Sequence, residues 1–394
     1  MGQSPPSSTY NYEGKGLPFL QGKAEFGEVF PAPIKFCTTP LKRAPMGSLL
    51  ISVRAPVGDV NLALDEYCIG RGLAAVCPKD DVEAWFLLSW FRFAKAELEA
   101  ESSGTTFKSI NKDVLERFEV PRPSLPEQRA IVHVLRTVLR AKEATEKVIV
   151  ATRQLKASLM KHLFTYGPVP FDQADKVALK ETEIGSVPAH WQVEPLERRV
   201  TVQGGFAFKS SLYGPEGIPV VRISNVKEGG LVWRDVVYWP LQLDEQISRY
   251  LLSDGDVLIS MTGDVGVVCG VSGKDTPCLL NQRVGRLVID DSAHILPDYL
   301  HCVASRPQFK NAVSGAAFGA IQQNVSGSKI ESLPIPLPPV EEQRQIAAQL
   351  AAVDAKLATE ERRRRALDAL FKSLLHHLMT GKVRVKDIGV HHEA

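Results

Sequence analysis

The sequence lacks the features of a membrane or secreted protein. No apolar run reaches the roughly 18 residues that a membrane span requires, and the first residues lack the pattern of a secretory signal peptide. The six cysteines show neither CxxC spacing nor a Cys/His metal pattern. These absences predict a cytoplasmic protein with reduced, mostly buried thiols, no membrane contact and no metal site.

An excess of charge of either sign is also missing. The chain has 47 Lys and Arg against 45 Asp and Glu, a formal net charge of +2. The overall balance therefore does not indicate a nucleic-acid partner, although a basic footprint on one face is compatible with it. The sequence also has no Walker A loop, no G-x-S-x-G elbow and no Asn/Asp-Pro-Pro-Tyr/Phe motif of adenine methylation. We therefore expect no catalytic residues.

The sequence does contain a long internal repeat. VPRPSLPEQRAIVHVL, starting at Val120, matches IPLPPVEEQRQIAAQL, starting at Ile335, which is 215 positions later. LLISVRAPVGDV from Leu49 matches VLISMTGDVGVV from Val257, 208 positions later. Gly104, Phe107 and Ile110 align more loosely with Gly315, Phe318 and Ile321 at an offset of 211. A period this long predicts two similar domains, each followed by a similar helix.

The segment after each Pro-rich repeat has the apolar spacing of a coiled coil. Apolar residues recur every three or four positions over about five heptads, more regularly in the second helix, where only Glu360 and Arg364 interrupt them. The predicted seam consists of Ile131, Leu135, Val138, Ile149, Leu159, Leu163, Ile346, Leu350, Val353, Leu357, Leu367, Phe371, Leu374 and Leu378. We predict an antiparallel pair of long helices between two globular domains. The alternative is that each helix packs only on its own domain.

The remaining sequence consists of short β-branched runs broken by Gly, Asp and Asn, which predict β-rich domains. The predicted fold class is α+β, with a pseudo-two-fold internal repeat. We divide the chain into domain 1 at 1–124, helical region 1 at 125–166, a linker at 167–190, domain 2 at 191–338, helical region 2 at 339–382 and a tail at 383–394. Domain 2 begins with a segment from His190 that has no counterpart at the start of domain 1. We expect a truncation, an alternative start, or a strand supplied by the tail KVRVKDI.

These motifs together resemble the specificity subunit of Type I restriction-modification enzymes. The resemblance covers nearly the whole chain and rests on motifs in a fixed order. They are GQSPPSSTYN at Gly2, GLPFLQGKAEFG at Gly16, LISVRAPVGDVN at Leu50, IGRGLAA at Ile69, and the two PxPxxxEQRxI hinges, whose helices end in LMKHLF and LLHHLM. The departure from the family is the short N-terminus.

The resemblance implies a division of labour. Two target recognition domains would each bind one half of a split double-stranded DNA target, and the helices would set the spacer and dock two methyltransferase (M) subunits. Motor-nuclease (R) subunits would join for restriction. The chain itself would be a non-catalytic subunit that binds no cofactor, with S-adenosylmethionine, ATP and Mg expected in the partner subunits. The alternatives are an orphan or inactive recognition subunit, or a symmetric protein-binding scaffold without a DNA role.

Candidate DNA-binding residues are polar, cationic or aromatic side chains in Gly-rich turns, where base edges and phosphates can be reached. In domain 1 they are Ser4, Ser7, Ser8, Tyr10, Arg54, Arg71, Thr105, Thr106, Phe107 and Lys108. In domain 2 they are Phe206, Lys209, Ser210, Arg222, Ser224, Asn225, Arg283, Phe318, Gln322 and Gln323. The alternative for each polar residue is a solvated loop position, and Phe107 or Phe318 could instead anchor the core. We interpret the Glu-Gln-Arg triplets at Glu127 and Glu342 as helix capping or subunit docking.

Overall fold

The computed structural model describes residues 1–103, 108–319 and 323–388. The chain divides into two compact units, and both division points fall inside the long helices. Unit 1 contains Met1–Lys147 and Arg362–Ala394, and unit 2 contains Val148–Glu361. Each unit therefore combines one β-rich domain with part of each long helix, and we describe the two units separately.

Unit 1 is built on two sheets. Its strands are β1 (Tyr10–Asn11), β2 (Leu17–Leu20), β3 (Lys35–Cys37), β4 (Arg43–Ala44), β5 (Leu49–Ser52), β6 (Val60–Leu62), β7 (Tyr67–Ile69) and β8 (Leu73–Val76). Its helices are α1 (Ala84–Phe93), α2 (Lys95–Ala100), α3 (Lys112–Arg117) and the first part of α4 (Leu125–Tyr166). The strand orders are β1-β3-β2-β7-β4 and β6-β5-β8, and only β2 and β7 pair in parallel.

Strand β5 lies at the centre of the unit 1 core, and all four of its residues are buried. Leu49 and Ile51 belong to a cluster that includes Leu88 of α1, whereas Leu50 belongs to a second cluster with Leu20 of β2. This alternation follows from the two-residue period of a strand, which sends successive side chains to opposite faces. A continuous apolar run is therefore what this position requires.

Unit 2 repeats this plan with additional strands. The strands are β9 (Leu179–Thr182), β10 (Gly185–Pro188), β11 (Gln192–Pro195), β12 (Val200–Gly204), β13 (Ile218–Val221), β14 (Val226–Lys227), β15 (Gly230–Leu231), β16 (Tyr238–Trp239), β17 (Leu251–Leu252), β18 (Val257–Ser260), β19 (Val268–Gly270), β20 (Cys278–Leu280), β21 (Val284–Ile289) and β22 (Pro334–Leu337). Its helices are α5 (Glu245–Ser248), α6 (Pro297–Ala304), α7 (Pro307–Ala316) and α8 (Gly327–Glu331), together with the second part of α4 and the first part of α9 (Val340–Met379), whose remainder belongs to unit 1. Within the range predicted as a linker, β9 and β10 form an antiparallel hairpin.

The central strands of the two units correspond. Strands β19, β18 and β21 repeat β6, β5 and β8, and β13 pairs in parallel with β20 as β2 does with β7. Unit 2 also has β12, which pairs with β21, and β11, which pairs with β22. Among the described residues, unit 1 has no counterpart of β11 or β12. The two domains therefore share one central frame.

The tail does not supply a strand to domain 1, which was one of the three explanations that we considered for the segment missing there. Val385–Ile388 form a short 3-10 helix, and Val385 is buried in a cluster with Ile131 and Leu378. Arg384 forms an ion pair with Glu127 at the start of α4. The described tail therefore packs on the long helices of unit 1, because its apolar residue fits their apolar seam.

The long helices run antiparallel in both units. In unit 1, Lys142 pairs with Asp368 at 2.7 Å, and Glu146 pairs with Arg364 at 3.3 Å. A step of four residues forward along α4 is thus matched by a step of four residues back along α9. In unit 2, Arg153 pairs with Glu361 and Lys156 with Asp354 at 2.8 and 2.5 Å, again in opposite directions. The antiparallel coiled coil is therefore confirmed within each unit.

The coiled-coil seam also contains polar residues. Thr145 and Thr152 of α4 and Glu360 of α9 are buried at positions that the apolar spacing assigns to the seam. The threonine hydroxyls each donate to a carbonyl four residues earlier in the same helix. Ile149 lies between the two threonines and is also buried. The two threonines therefore do not divert the seam, because their own helix satisfies their hydroxyls.

Gln128 and Gln343 attach the long helices to their domains. Each glutamine is at most 1% exposed. Its side-chain NH2 donates to two backbone carbonyls, those of Asp81 and Pro123 for Gln128 and those of His294 and Pro338 for Gln343. Its side-chain oxygen accepts from one backbone N–H, of Glu83 or Leu296 respectively. The glutamine of each Glu-Gln-Arg triplet therefore forms a junction between the long helix and its domain, in addition to the acidic residue that the triplet places in the first helical turn.

We predict that replacing Gln343 by Leu lowers the free energy of unfolding by about 2–4 kcal/mol, because one N–H and two carbonyls lose a buried partner. Denaturant unfolding monitored by tryptophan fluorescence measures this change. Gln345→Leu, on the same helix but exposed, is the matched control and should change stability by less than about 0.5 kcal/mol. Equal effects of the two substitutions would contradict the junction role.

Candidate nucleic-acid interface

Four loops of domain 1 meet at one end of its sheets. Gln3 N–H donates to Ile69 O at 3.0 Å, and Gly70 N–H donates to Leu20 O at 2.8 Å. The turn after β5 joins them, since Val53 N–H donates to Gly72 O at 2.9 Å, and Ala55 N–H of the same turn donates to Lys108 O at 3.0 Å. Because the loops hydrogen-bond to one another through their backbones, the side chains on them are presented together. We call this end of domain 1 the loop end.

Close backbone contact explains a glycine at the loop end. A Cβ on Gly2 would lie only 2.2 Å from Gly70 O, so any larger residue would push the N-terminal segment away. Next to this contact, Ser4 Oγ hydrogen-bonds to the Gln21 side chain at 3.2 Å and accepts from Arg71 N–H at 3.2 Å. Sequence reasoning did not single out Gln21, although it lies in one of the motifs that carry the resemblance.

Three predicted cations are exposed at the loop end of domain 1. Arg54 precedes Ala55, whose N–H donates to the carbonyl of Lys108, so these two cations lie at the same junction of loops. Arg71 lies in the loop that follows β7. In the part of the chain that the structure describes, none of the three has an ion-pair partner. Exposed cations without carboxylate partners are suited to phosphate contacts and to hydrogen bonds with base edges. The structure thus brings Ser4, Arg54, Arg71 and Lys108 together.

The other described candidates of domain 1 lie farther along the edge of the sheet. Ser7 and Ser8 are exposed in a short 3-10 helix. Tyr10 and Leu17 both pair with Cys37 of β3. Leu17 starts β2, whereas Gln21 follows its other end, so Tyr10 lies at the end of the sheet away from Gln21. The Tyr10 ring stacks on Phe19 at 4.5 Å and its hydroxyl donates to a backbone carbonyl. Tyr10 therefore has a packing role, and its hydroxyl is already engaged.

Domain 2 has the same loop end, and its backbone hydrogen bonds correct one of our alignments. Gly263 N–H donates to Gln323 O at 2.9 Å, as Ala55 N–H does to Lys108 O in domain 1. Phe318 forms a bridge with Asn324, as Ser103 does with Ser109. The segment is therefore equivalent at an offset of 215, not the 211 that we expected, so Gln323 corresponds to Lys108. Similar residues four positions away produced the incorrect alignment of this segment.

Several candidates of domain 2 are available at its loop end. Phe318 is 66% exposed, so the alternative that it anchors the core is wrong. Gln323, Lys209 and Arg283 are exposed, and within the described residues neither Lys209 nor Arg283 has an ion-pair partner. Arg283 O accepts from Met261 N–H, which places it at the turn after β18. An exposed aromatic ring beside unpaired cations and amides is a composition found where proteins contact nucleic acids.

Other candidates of domain 2 are occupied by the fold. Asn225 is 1% exposed, and its amide bonds to the backbone of Arg222, Val232 and Arg234. This prediction was wrong, because a buried and satisfied amide shapes its loop and cannot reach DNA. Arg222 is half-buried, and its guanidinium donates to the backbone carbonyl of Asp235.

The remaining candidates fall into three groups. Phe206 is partly buried in an aromatic cluster, with its ring centroid 5.0 Å from that of Phe208. Ser210 and Ser224 are exposed. The predicted residues Thr105, Thr106, Phe107 and Gln322 lie outside the described residues. Contact with DNA stays a prediction for every candidate other than Asn225.

Two buried serines hold the turns of the loop ends. Ser52 Oγ donates to Pro56 O at 2.7 Å and accepts from Asp59 N–H at 2.9 Å. Ser260 makes the same pair of bonds, at 2.6 Å to Asp264 O and 2.9 Å from Val267 N–H. The repeat aligns the two serines, but only the structure shows that they satisfy the backbone of the turn. They are buried positioning residues.

A lysine on a neighbouring helix anchors each of these turns. Asp59 pairs with Lys23 and Lys95, each at 2.6 Å, and Asp264 pairs with Lys310 at 3.2 Å. Partial burial raises the pKa of the Asp59 carboxyl, but hydrogen bonds from the two lysines outweigh this effect and hold its pKa below the usual range. The turn of domain 1 is therefore fixed from both sides at neutral pH.

The fold and the two loop ends define a chain with two tandem recognition-type domains on one helical scaffold. The family described as "Type I restriction modification DNA specificity domain" matches residues 35–151 and 188–369. The chain belongs to this family, which confirms the family resemblance predicted from the sequence.

Individual relatives agree with this assignment. A Methanocaldococcus jannaschii protein provisionally named as the MjaX type I restriction enzyme specificity subunit is 45% identical over 166 residues, which cover 42% of this chain and 39% of that protein. The MjaVIII specificity subunit of the same organism is 27% identical over 318 residues, covering 78% and 72%. The crystal structure of a Type-I restriction-modification S subunit from M. genitalium matches with a TM-score of 0.60 and 16% identity, covering 96% and 92%.

Membrane-spanning helices and metal-binding clusters are both absent from the described residues. None of the described helices is both long and apolar enough to cross a membrane. Over the same residues, no group of three or more His, Cys, Asp or Glu side chains is placed to hold a metal ion.

Proposed function

We propose that each domain binds one half of a split double-stranded DNA target, using the loop end that carries its unpaired cations. The observation that supports this most directly is the repetition of that end: the same backbone hydrogen bonds present Lys108 in domain 1 and Gln323 in domain 2. The frame is the same but the side chains differ, as expected if two related domains read two different sequences.

The proposal extends to the helices and to partner subunits. The antiparallel pair would set the number of unspecified base pairs between the two halves. It would also dock two methyltransferase subunits, which would supply S-adenosylmethionine and modify adenine at N6. Motor-nuclease subunits, with ATP and Mg, would join for restriction. The chain itself would act in the cytoplasm as the non-catalytic reader of the complex.

The experiment that tests this function maps methylated adenines across the genome of the source strain, with and without this gene. We expect the deletion to remove methylation at one split motif, consisting of two short specific blocks around a fixed gap. Restoration by the intact gene is the control. If no motif is lost, the chain is an orphan reader or a protein-binding scaffold, and the proposed function is overturned.

A binding measurement separates DNA recognition from a scaffold role. Affinity for DNA carrying the motif should fall steeply with salt, because each neutralised phosphate releases counterions. Titrations between about 50 and 200 mM salt measure the slope. A flat response would mean that the exposed cations of the loop ends do not contact phosphates.

A further inference from the structure

Unit 2 contains a cavity of about 390 Å³, and none of the predicted DNA-binding residues lines it. The hairpin tip at Glu183 and Ile184 forms one side, and helix α7 and strand β22 form the others. The walls are largely apolar and include Val303, Phe309 and Ile335, each buried. A volume of this size lies within the range of small-ligand sites in proteins, about 300–1,000 Å³.

An arginine whose guanidinium has no hydrogen-bond acceptor in the described protein lines this cavity. Arg306 is 7% exposed, and its guanidinium lies 4.5 Å from the centre of the Phe164 ring. Across the described residues, the guanidinium makes no hydrogen bond and no ion pair, and its nitrogens retain access to solvent. Burial lowers the pKa of Arg306. A buried cation normally has a hydrogen-bonding counter-charge, and the ring contact supplies no acceptor.

The first turn of α7 adds two further donors at the same place. Gln308 and Phe309 line the cavity, and they follow Arg306 and Pro307 at the start of this ten-residue helix. Their backbone N–H groups have no acceptor among the described residues, as is usual for the first turn of a helix. Helix N-termini favour anions through these donors and the helix dipole. The guanidinium and the two N–H groups therefore offer one anion a set of donors.

We propose that this cavity binds the C-terminal residue of a polypeptide, with its α-carboxylate on Arg306 and the N-terminus of α7 and its apolar side chain against Val303, Phe309 and Ile335. The planar guanidinium suits a carboxylate, which it can bind through two parallel hydrogen bonds. Gln308 and Asn311 are exposed at the rim. Their amides can donate to and accept from the peptide backbone, which favours a polypeptide over a free acid.

The test compares two probes on the intact full-length chain without DNA, so that its outcome does not depend on the proposed DNA function. The first probe is a fluorescein-labelled octapeptide that ends in phenylalanine with a free carboxylate, and the second is the same peptide with a C-terminal amide. Fluorescence anisotropy should give micromolar binding of the acid and at least tenfold weaker binding of the amide. Equal binding of the two peptides would overturn the proposal.

Two variants and one competitor complete the test. Arg306→Met removes the charge at similar volume and should weaken binding of the acid at least tenfold, while Arg249→Met, at an exposed arginine, should leave it unchanged. Ile184→Trp should also weaken binding by filling the cavity without altering its charge. Unchanged binding to Arg306→Met would contradict the assignment. Competition by 3-phenylpropanoate at the same concentration as the peptide would identify a small acid instead and exclude the polypeptide.

Discussion

Replacing Lys108 by Ala should relax one half of the split DNA motif and leave the other half unchanged. Lys108 is exposed at the loop end of domain 1 and has no ion-pair partner among the described residues. Loss of a contact from this position should weaken binding to the parent target about tenfold, or about 1.4 kcal/mol. The measurement is the consensus of methylated sites in a strain that expresses the variant.

Gln323→Ala should have the complementary effect. Because Gln323 occupies the position of Lys108 in domain 2, the substitution should relax the opposite half of the motif. Lys79→Ala, at an exposed lysine of domain 1 away from the loop end, is the control and should leave both halves intact. If Lys108→Ala leaves the motif and the affinity as they are, Lys108 does not belong to the interface.

Inserting four residues between Lys147 and Val148 should change the gap of the motif or abolish function. Four residues add about 6 Å of helix and turn the following part by about 40°. The insertion would shift one part of α4 relative to α9. The ion pairs on the two sides of the insertion, such as Lys142–Asp368 and Lys156–Asp354, could then no longer form together. The gap in the methylated motif is the measured quantity.

A matched insertion makes this test of the ruler sharper. Seven residues added at opposed positions of both helices keep the heptad register and lengthen the pair by about 10 Å. We expect this variant to remain active with a gap that is longer by about three base pairs, since base pairs are spaced 3.4 Å apart along each strand. A motif that keeps its original gap in both insertion variants would exclude the ruler.

Most of the fold prediction depended on the internal repeat and on the spacing of apolar residues. Helix α4 covers Leu125–Tyr166, the range predicted for the first helical region, because long helices depend on a periodicity that is visible in one sequence. The strand LLIS of β5 is buried as its apolar run suggests. The hairpin β9–β10 was not predicted, because its strands are mostly exposed and polar and resemble a linker in composition.

The candidate site could be predicted only in part. Exposed cations in Gly-rich turns, such as Arg54 and Arg71, are recognisable from composition and position. Asn225 is also a polar residue in a turn but is buried, because its amide hydrogen-bonds to backbone groups up to nine positions away in the sequence. Ser52 was missed for a similar reason: a hydroxyl within an apolar run gives no sign of the carbonyl that it binds.

The serine-held turns have a consequence for how such a chain can change its target. Since the hydroxyls of Ser52 and Ser260 satisfy the backbone of the turns, exposed side chains such as that of Arg54 contribute little to folding. Substitutions at exposed positions usually change stability by less than about 0.5 kcal/mol. Under the proposed function, new specificities would therefore arise by single substitutions in one turn, each tolerated by the fold and each confined to its own half of the target.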